Sequence, residues 1–150
     1  MMDRADPARV IAVARSFLAT PYRHQASCPG AGADCLGLVR AVWRDIVGPE
    51  PEGFRAYARD WAETLGEERL MDLARRHLLP RSGAAEPGDI LLLRWRRGLP
   101  ASHLVILCGP SVIIHAADPV GVVAVPLGPW KKRIAGVFSF PARSVPRHPS

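Results

Sequence analysis

Apolar residues in this chain follow two different periods. In the first half, Val10, Ile11, Ala14, Phe17 and Leu18 recur with helical spacing behind Asp6 and Pro7. That pair supplies an N-cap and a first helical position, and Pro21 ends the predicted helix. From Tyr22 to Ala33 the composition turns to Gly, Pro, Ser and Ala, which reads as a loop. Asp34 then caps a second helix with an apolar stripe through Leu38, Val39, Val42 and Ile46, stopped by Gly48 and Pro49. Between Glu50 and Pro80, Trp61, Leu65, Leu70, Leu73 and Leu78 stand among charged residues, predicting two short helices broken near Gly66. After Pro87-Gly88 the pattern changes. Asp89–Trp95, Ser102–Cys108, Ser111–Ala116, Gly121–Val125 and Arg133–Phe140 are short, rich in Val, Ile and Leu, and bounded by Gly or Pro, as strands are. Helices first and strands afterwards predict an α+β fold, with N-terminal helices packed on a C-terminal antiparallel β-meander. No internal repeat is present, and the tail PARSVPRHPS, residues 141–150, reads as a loose arm.

With 150 residues the chain is expected to form one domain, residues 1–150, carrying a helical insert at about 53–79. Its net charge of +6 comes from 20 cations, of which only Lys131 and Lys132 are lysines. That balance points to anionic surroundings without choosing among nucleic acid, anionic lipid and acidic polymer. No segment approaches the roughly 20 apolar residues of a membrane span, so no membrane insertion is expected. The opening MMDRADPARV lacks the apolar core of an export signal, which leads us to expect synthesis in the cytoplasm. Three cysteines, Cys28, Cys35 and Cys108, are an odd number, so at least one thiol should be free.

The stretch GADCLGLVRAVW, Gly32 to Trp43, puts Cys35 at the first turn of the second helix. There, unpaired backbone N–H groups and the helix dipole favour a thiolate. A cysteine nucleophile needs a base, and the chain offers His24, His77, His103, His115 and His148. His103 and His115 lie in neighbouring predicted strands around Gly109-Pro110. A hairpin with an odd-numbered loop centred near Gly109 brings them opposite each other on one face; an even-numbered loop separates them. In the first arrangement the Cys35 helix can pack on that face, giving a nucleophile, a base and an orienting group. His24, His77 and His148 read most simply as surface residues, and Cys108 as core. Three other readings stay open here: a zinc site from His24, Cys28 and Cys35, a Cys28–Cys35 redox gate, and a role for Arg94-Trp95-Arg96-Arg97 in nucleic-acid binding or in attracting carboxylates to a cleft.

The ordered set TPYRHQASCPGAGADCLGLV, EPGDILLL, SHLVIL and IIHAA resembles the NlpC-type family of papain-like cysteine peptidases, which cut bacterial cell-wall peptides. The resemblance runs from the first helix to the last strand. It implies a papain-like fold with Cys35 as nucleophile, His103 as general base and His115 as third, orienting member. It further implies that Tyr22 helps form the oxyanion or substrate pocket, that Asp34 caps the helix and touches the substrate amine, and that no cofactor or metal takes part. The implied substrate is a peptidoglycan stem peptide, cut at a bond of the D-glutamyl-diaminopimelate type. Leu36 stands where many relatives have Ser. The DCLG variant and the helical insert resemble the phage-tail and gene-transfer-agent branch. That likeness implies a protein assembled in the cytoplasm onto tail hub or baseplate proteins, acting in the periplasm or wall of a target cell, with no specific nucleic-acid partner. The rival reading is a non-catalytic tail component that retains the fold.

Overall fold

The computed structural model describes residues 3–54, 57 and 68–143. Helix α1, Pro7–Ser16, starts as expected: the Asp6 carboxylate accepts the Ala8 N–H at 3.0 Å. A two-stranded ribbon, β1 (Ser27–Cys28) with β2 (Gly32–Ala33), leads into α2, Cys35–Ile46. Helix α3, Arg69–His77, is followed by β3 (Leu79–Pro80), β4 (Ile90–Leu93), β5 (His103–Leu107), β6 (Val112–Ala117) and β7 (Gly121–Pro126). A 3₁₀ helix, Gly128–Arg133, and β8, Ile134–Ser139, follow.

Strands β4 to β7 form the expected antiparallel meander, but β8 does not extend it. The order is β3-β8-β4-β5-β6-β7: the last strand returns to pair with β4, and the two-residue β3 pairs with its outer edge. Leu79 and Pro80, read from sequence as the end of a helical stretch, are thus strand. Trp61, Leu65 and the expected break near Gly66 lie outside the described residues. The expected loose arm is corrected at its start, since Pro141 bridges to Arg4 and the Ala142 N–H donates to the Asp3 carbonyl at 2.7 Å; residues 144–150 lie outside the described residues.

Alternation along the strands divides the core in two. Ile90, Leu92, Leu104, Ile106, Ile114 and Ala116 face α1, α2 and α3, meeting Leu38, Val42, Phe17 and Leu70. Leu91, Leu93, Val105, Leu107 and Ile113 face the other way, toward Leu127 and Trp130. Burial on both faces explains why β4 reads as an unbroken ILLL run instead of alternating. The Pro-Gly-Asp motif before β4 is structural. Gly88 adopts φ +94°, and a Cβ there would strike Pro7 of α1. Asp89 is fully buried; its carboxylate accepts from Ser139 Oγ at 2.7 Å and the Glu86 N–H at 2.8 Å, with Arg81 at 3.1 Å and Arg4 at 3.5 Å. That ion cluster locks β4 to β8 and to the N-terminus.

Candidate active site

The start of α2 is held from three sides. Asp34 accepts the Gly37 N–H through Oδ1 at 2.7 Å and the Gln25 N–H through Oδ2 at 2.7 Å, with His24 Nδ1 at 3.6 Å. Ser27 Oγ donates to the Gly37 carbonyl at 2.6 Å, and a Cβ on Gly37 would fall within the Ala26 carbonyl group, so the loop needs glycine there. Glu50 gathers Arg40 at 2.6 Å and Arg44 at 3.0 Å, and Arg44 also donates to the Ser27 carbonyl at 2.6 Å. The loop is thereby fastened along α2, fixing Cys35 at its first turn. Backbone N–H groups of Leu104, Leu36 and Cys35 itself act on the sulfur in favour of its ionised form. The Cys35 sulfur therefore lies near β5 one residue beyond His103.

The two histidines meet. His103 Nε2 and His115 Nδ1 are 2.8 Å apart and both rings are buried. The hairpin loop is odd-numbered, as the single-face arrangement requires, but it is centred on Pro110: Ile106 pairs with Ile114 and Leu107 with Ile113. Continued outward, this register sets His115 opposite Val105, so the histidines are diagonal neighbours. A second correction concerns the face. By alternation His103 goes with Val105 and His115 with Ile113, on the side away from the one where α2 packs. Cys35 nonetheless lines the same cavity as the two histidines; there the β5–β6 ladder stops at Ile106–Ile114, while β6 stays paired with β7 as far as Ala117. The opening beyond the last pair leaves the Leu104 N–H for the sulfur and is bridged by the His–His bond.

Two tryptophans enclose the pair. Trp95 stacks on His103 at 5.8 Å between centroids and 18° between planes, and Trp130 meets His115 edge-on at 6.2 Å. The tryptophans touch each other at 5.7 Å, and the Arg133 guanidinium lies 5.4 Å over Trp130. The two tryptophans and two histidines, with Tyr22, Tyr57, Ser102 and Asp118, line a cavity of about 510 Å³.

Enclosure sets the charge state. Burial, then the Asp34 carboxylate, pushes the Cys35 thiol up to about 12 despite the three N–H donors. Burial, then His115, pulls His103 down to about 4. At neutral pH both partners are therefore neutral, and desolvation outweighs the helix-start effect that favours a thiolate. Tyr22 is pushed up to about 12 by burial and by the Asp34, Cys35 and Asp118 charges, so its hydroxyl is a donor at neutral pH. The expected result is that wild type and Cys35→Ala have the same absorbance near 240 nm at pH 7, since only about one sulfur in 10⁵ would be ionised. A thiolate band lost in the variant would overturn the neutral-pair assignment.

All five residues singled out from sequence, Cys35, His103, His115, Tyr22 and Asp34, line this one cavity. Sequence reasoning offered Arg94-Trp95-Arg96-Arg97 as one rim of a cleft, and of these Trp95 lines the cavity; it missed Trp130 and Tyr57, and it assigned His24 to the free surface although His24 lines the cleft beside Asp34. His77 is also not a bare surface residue: it packs edge-on against Phe54 and Trp43 at 5.3 and 6.4 Å. Arg94 is held by Glu68 at 3.1 Å and by the Leu99 carbonyl, not turned into the cavity. His148 lies outside the described residues. Among the described residues no three His, Cys, Asp or Glu side chains converge as a metal site, so His24, Cys28 and Cys35 do not form the zinc centre considered above.

No family model matches the chain. A γ-DL-glutamyl hydrolase of Bacillus subtilis (strain 168) is 26% identical over 149 residues, which cover 95% of this chain and 32% of that protein. The chain thus spans about a third of that relative's length. Among solved structures, the NlpC/p60 domain of the peptidoglycan hydrolase SagA superposes with a TM-score of 0.61 at 24% identity, over 90% of this chain and 99% of that one. An NlpC/P60 family protein from Bacillus cereus ATCC 10987 gives 0.63 at 18% identity, over 91% of this chain and 40% of that one. NlpC2 from Trichomonas vaginalis gives 0.65 at 17%, over 95% and 50%. The helices on an antiparallel sheet, the Cys35 helix start against a histidine hairpin, and these superpositions together identify the fold as that of the NlpC/p60 domains.

Proposed function

We propose that the chain is a cysteine peptidase that cleaves an amide bond in the stem peptides of bacterial peptidoglycan, of the D-glutamyl-diaminopimelate type. The observation that carries this reading is the convergence of Cys35, His103 and His115 in one cleft at a capped helix start. The His103–His115 bond runs through His103 Nε2, which leaves Nδ1 as the nitrogen for the thiol proton. In the competent tautomer Nε2–H donates to His115 Nδ1 and Nδ1 is the base. Because both partners rest neutral, proton transfer accompanies attack: Nδ1 takes the thiol proton as sulfur bonds to the scissile carbonyl carbon. The Tyr22 hydroxyl and the Cys35 backbone N–H are the donors for the resulting oxyanion. Imidazolium Nδ1–H then protonates the leaving amine, the C–N bond breaks, and water activated by His103 hydrolyses the thioester. A glutamyl bond is the favoured class because the γ-DL-glutamyl hydrolase shares sequence with almost the whole chain.

The DCLG variant and the helical segment ahead of β3 support a role as a phage-like or gene-transfer-agent tail component, assembled in the cytoplasm onto hub or baseplate proteins and acting on the target cell's wall. A purely structural tail role is less well supported, since every position of the catalytic set holds a competent side chain. Digestion of purified sacculi with mass spectrometry of the released fragments tests the reaction and names the bond; absence of any new amine terminus would sink it. Co-purification with tail particles, and loss of DNA delivery with normal cell shape on deletion, test the setting. A free pool with a cell-separation defect would refute it.

A further inference from the structure

Residues 94–97 and 130–133 are far apart in sequence but adjacent in space. Leu93 pairs with Ile134, the Arg94 N–H donates to the Arg133 carbonyl at 2.9 Å, and Trp95 touches Trp130. Arg96, Arg97, Lys131, Lys132 and Arg133 therefore form one exposed shelf just outside the aromatic wall of the cleft. Arg94 beside them is neutralised by Glu68, whereas none of the five has a carboxylate partner among the described residues. Five uncompensated cations side by side repel one another and raise a positive potential that draws in anions. The stacking faces nearby are already in use, with His103 on Trp95 and Arg133 on Trp130, so the shelf offers charge more than a platform for bases.

We propose that this shelf selects an acidic peptide substrate: the chain leaves the cleft across Trp95 and Trp130, and carboxylates beyond the scissile bond bind Arg96, Arg97, Lys131 and Lys132. The proposal rests on the hydrolase reading above and adds a substrate determinant to it. Exposed rim charges of this kind act mainly on encounter and discrimination, and their effect is screened by salt.

The test uses the full chain carrying Cys35→Ala, so that binding is read without turnover. Calorimetric titration compares a γ-glutamyl oligopeptide bearing free α-carboxylates with the same peptide amidated. At about 50 mM salt the free acid should bind roughly tenfold more tightly, and at about 500 mM the two should differ by less than about twofold. Adding Arg96→Gln, Arg97→Gln, Lys131→Gln and Lys132→Gln should erase the difference while leaving the thermal midpoint in place. Equal affinities in the parent, a difference that survives the four substitutions, or tighter binding of a single-stranded DNA of the same charge would overturn it. A wild-type chain that prefers the acid peptide yet releases nothing from sacculi would sink the hydrolase reading and leave the shelf. One that digests sacculi with no carboxylate preference would sink the shelf alone.

Discussion

Cys35→Ala should reduce fragment release from purified sacculi to background, a loss of about 10⁴-fold or more, because among the described residues no second thiol lines the cleft to replace the sulfur. Cys28 is exposed on the β1–β2 ribbon and Cys108 is buried in the helix-facing core, donating to the Val112 carbonyl. Neither lines the cleft. The substitution leaves the helix start intact, since the cap comes from Asp34 and the close contact from Gly37 against Ala26. Thermal unfolding should therefore shift little, which separates loss of chemistry from loss of fold. Cys35→Ser should be nearly as inactive: a hydroxyl is far harder to deprotonate than a thiol, and His103, held near 4, is a weak base. Cys28→Ser should retain turnover. If Cys35→Ala kept activity and Cys28→Ser lost it, the nucleophile would be misassigned.

What the sequence made legible was local. Asp6-Pro7 and Asp34 are caps whose partners lie two or three residues away, so both helix starts could be read directly. Strands β4 to β7 pair in chain order, β5, β6 and β7 through short turns and β4 with β5 across residues 94–102, so their order follows from their sequence. The return of β8 to β4 is not local: Ile134–Ser139 has the same texture whichever strand it joins, and the choice depends on Asp89 meeting Ser139. Two-residue strands such as Leu79–Pro80 carry no period at all. At the site, chemistry-bearing residue types identified Cys35, His103 and His115. Trp130 escaped because an aromatic beside lysines is equally at home on a surface, and only the β4–β8 register brings it to Trp95. The face of the histidines was misjudged for a related reason. Parity fixes that two residues share a side, but which side the helix covers is set by the core, where Leu104 and Ile106 go under α2 and leave His103 opposite.

The second large effect belongs to the histidine pair, whose members should fail unequally. His103→Ala should cost about 10²- to 10⁴-fold in kcat, since it removes the group that takes the thiol proton and later gives it to the leaving amine. His115→Asn should cost no more than about tenfold, because an amide oxygen can still accept the Nε2–H of His103 and hold its tautomer. His115→Ala should be worse than His115→Asn. The double variant His103→Ala with His115→Ala should be no worse than His103→Ala alone, because the orienter acts only through the base. Stopped-assay turnover on defined stem peptides gives these ratios; strict additivity of the two losses would show that His115 works independently of His103. The pH profile supplies a second reading. Burial disfavours the imidazolium, so His103 is neutral and competent down to about 4, and the acid limb of kcat/KM should fall there instead of near 6.5. Trp95 is 51% exposed and forms the cover over that ring. Trp95→Ala admits water to His103, relieves the desolvation that lowers its pKa, and should move the acid limb upward toward 6.5; Trp95→Phe should move it less. An acid limb that stays fixed in Trp95→Ala would mean that the stacked indole does not set the basicity of His103.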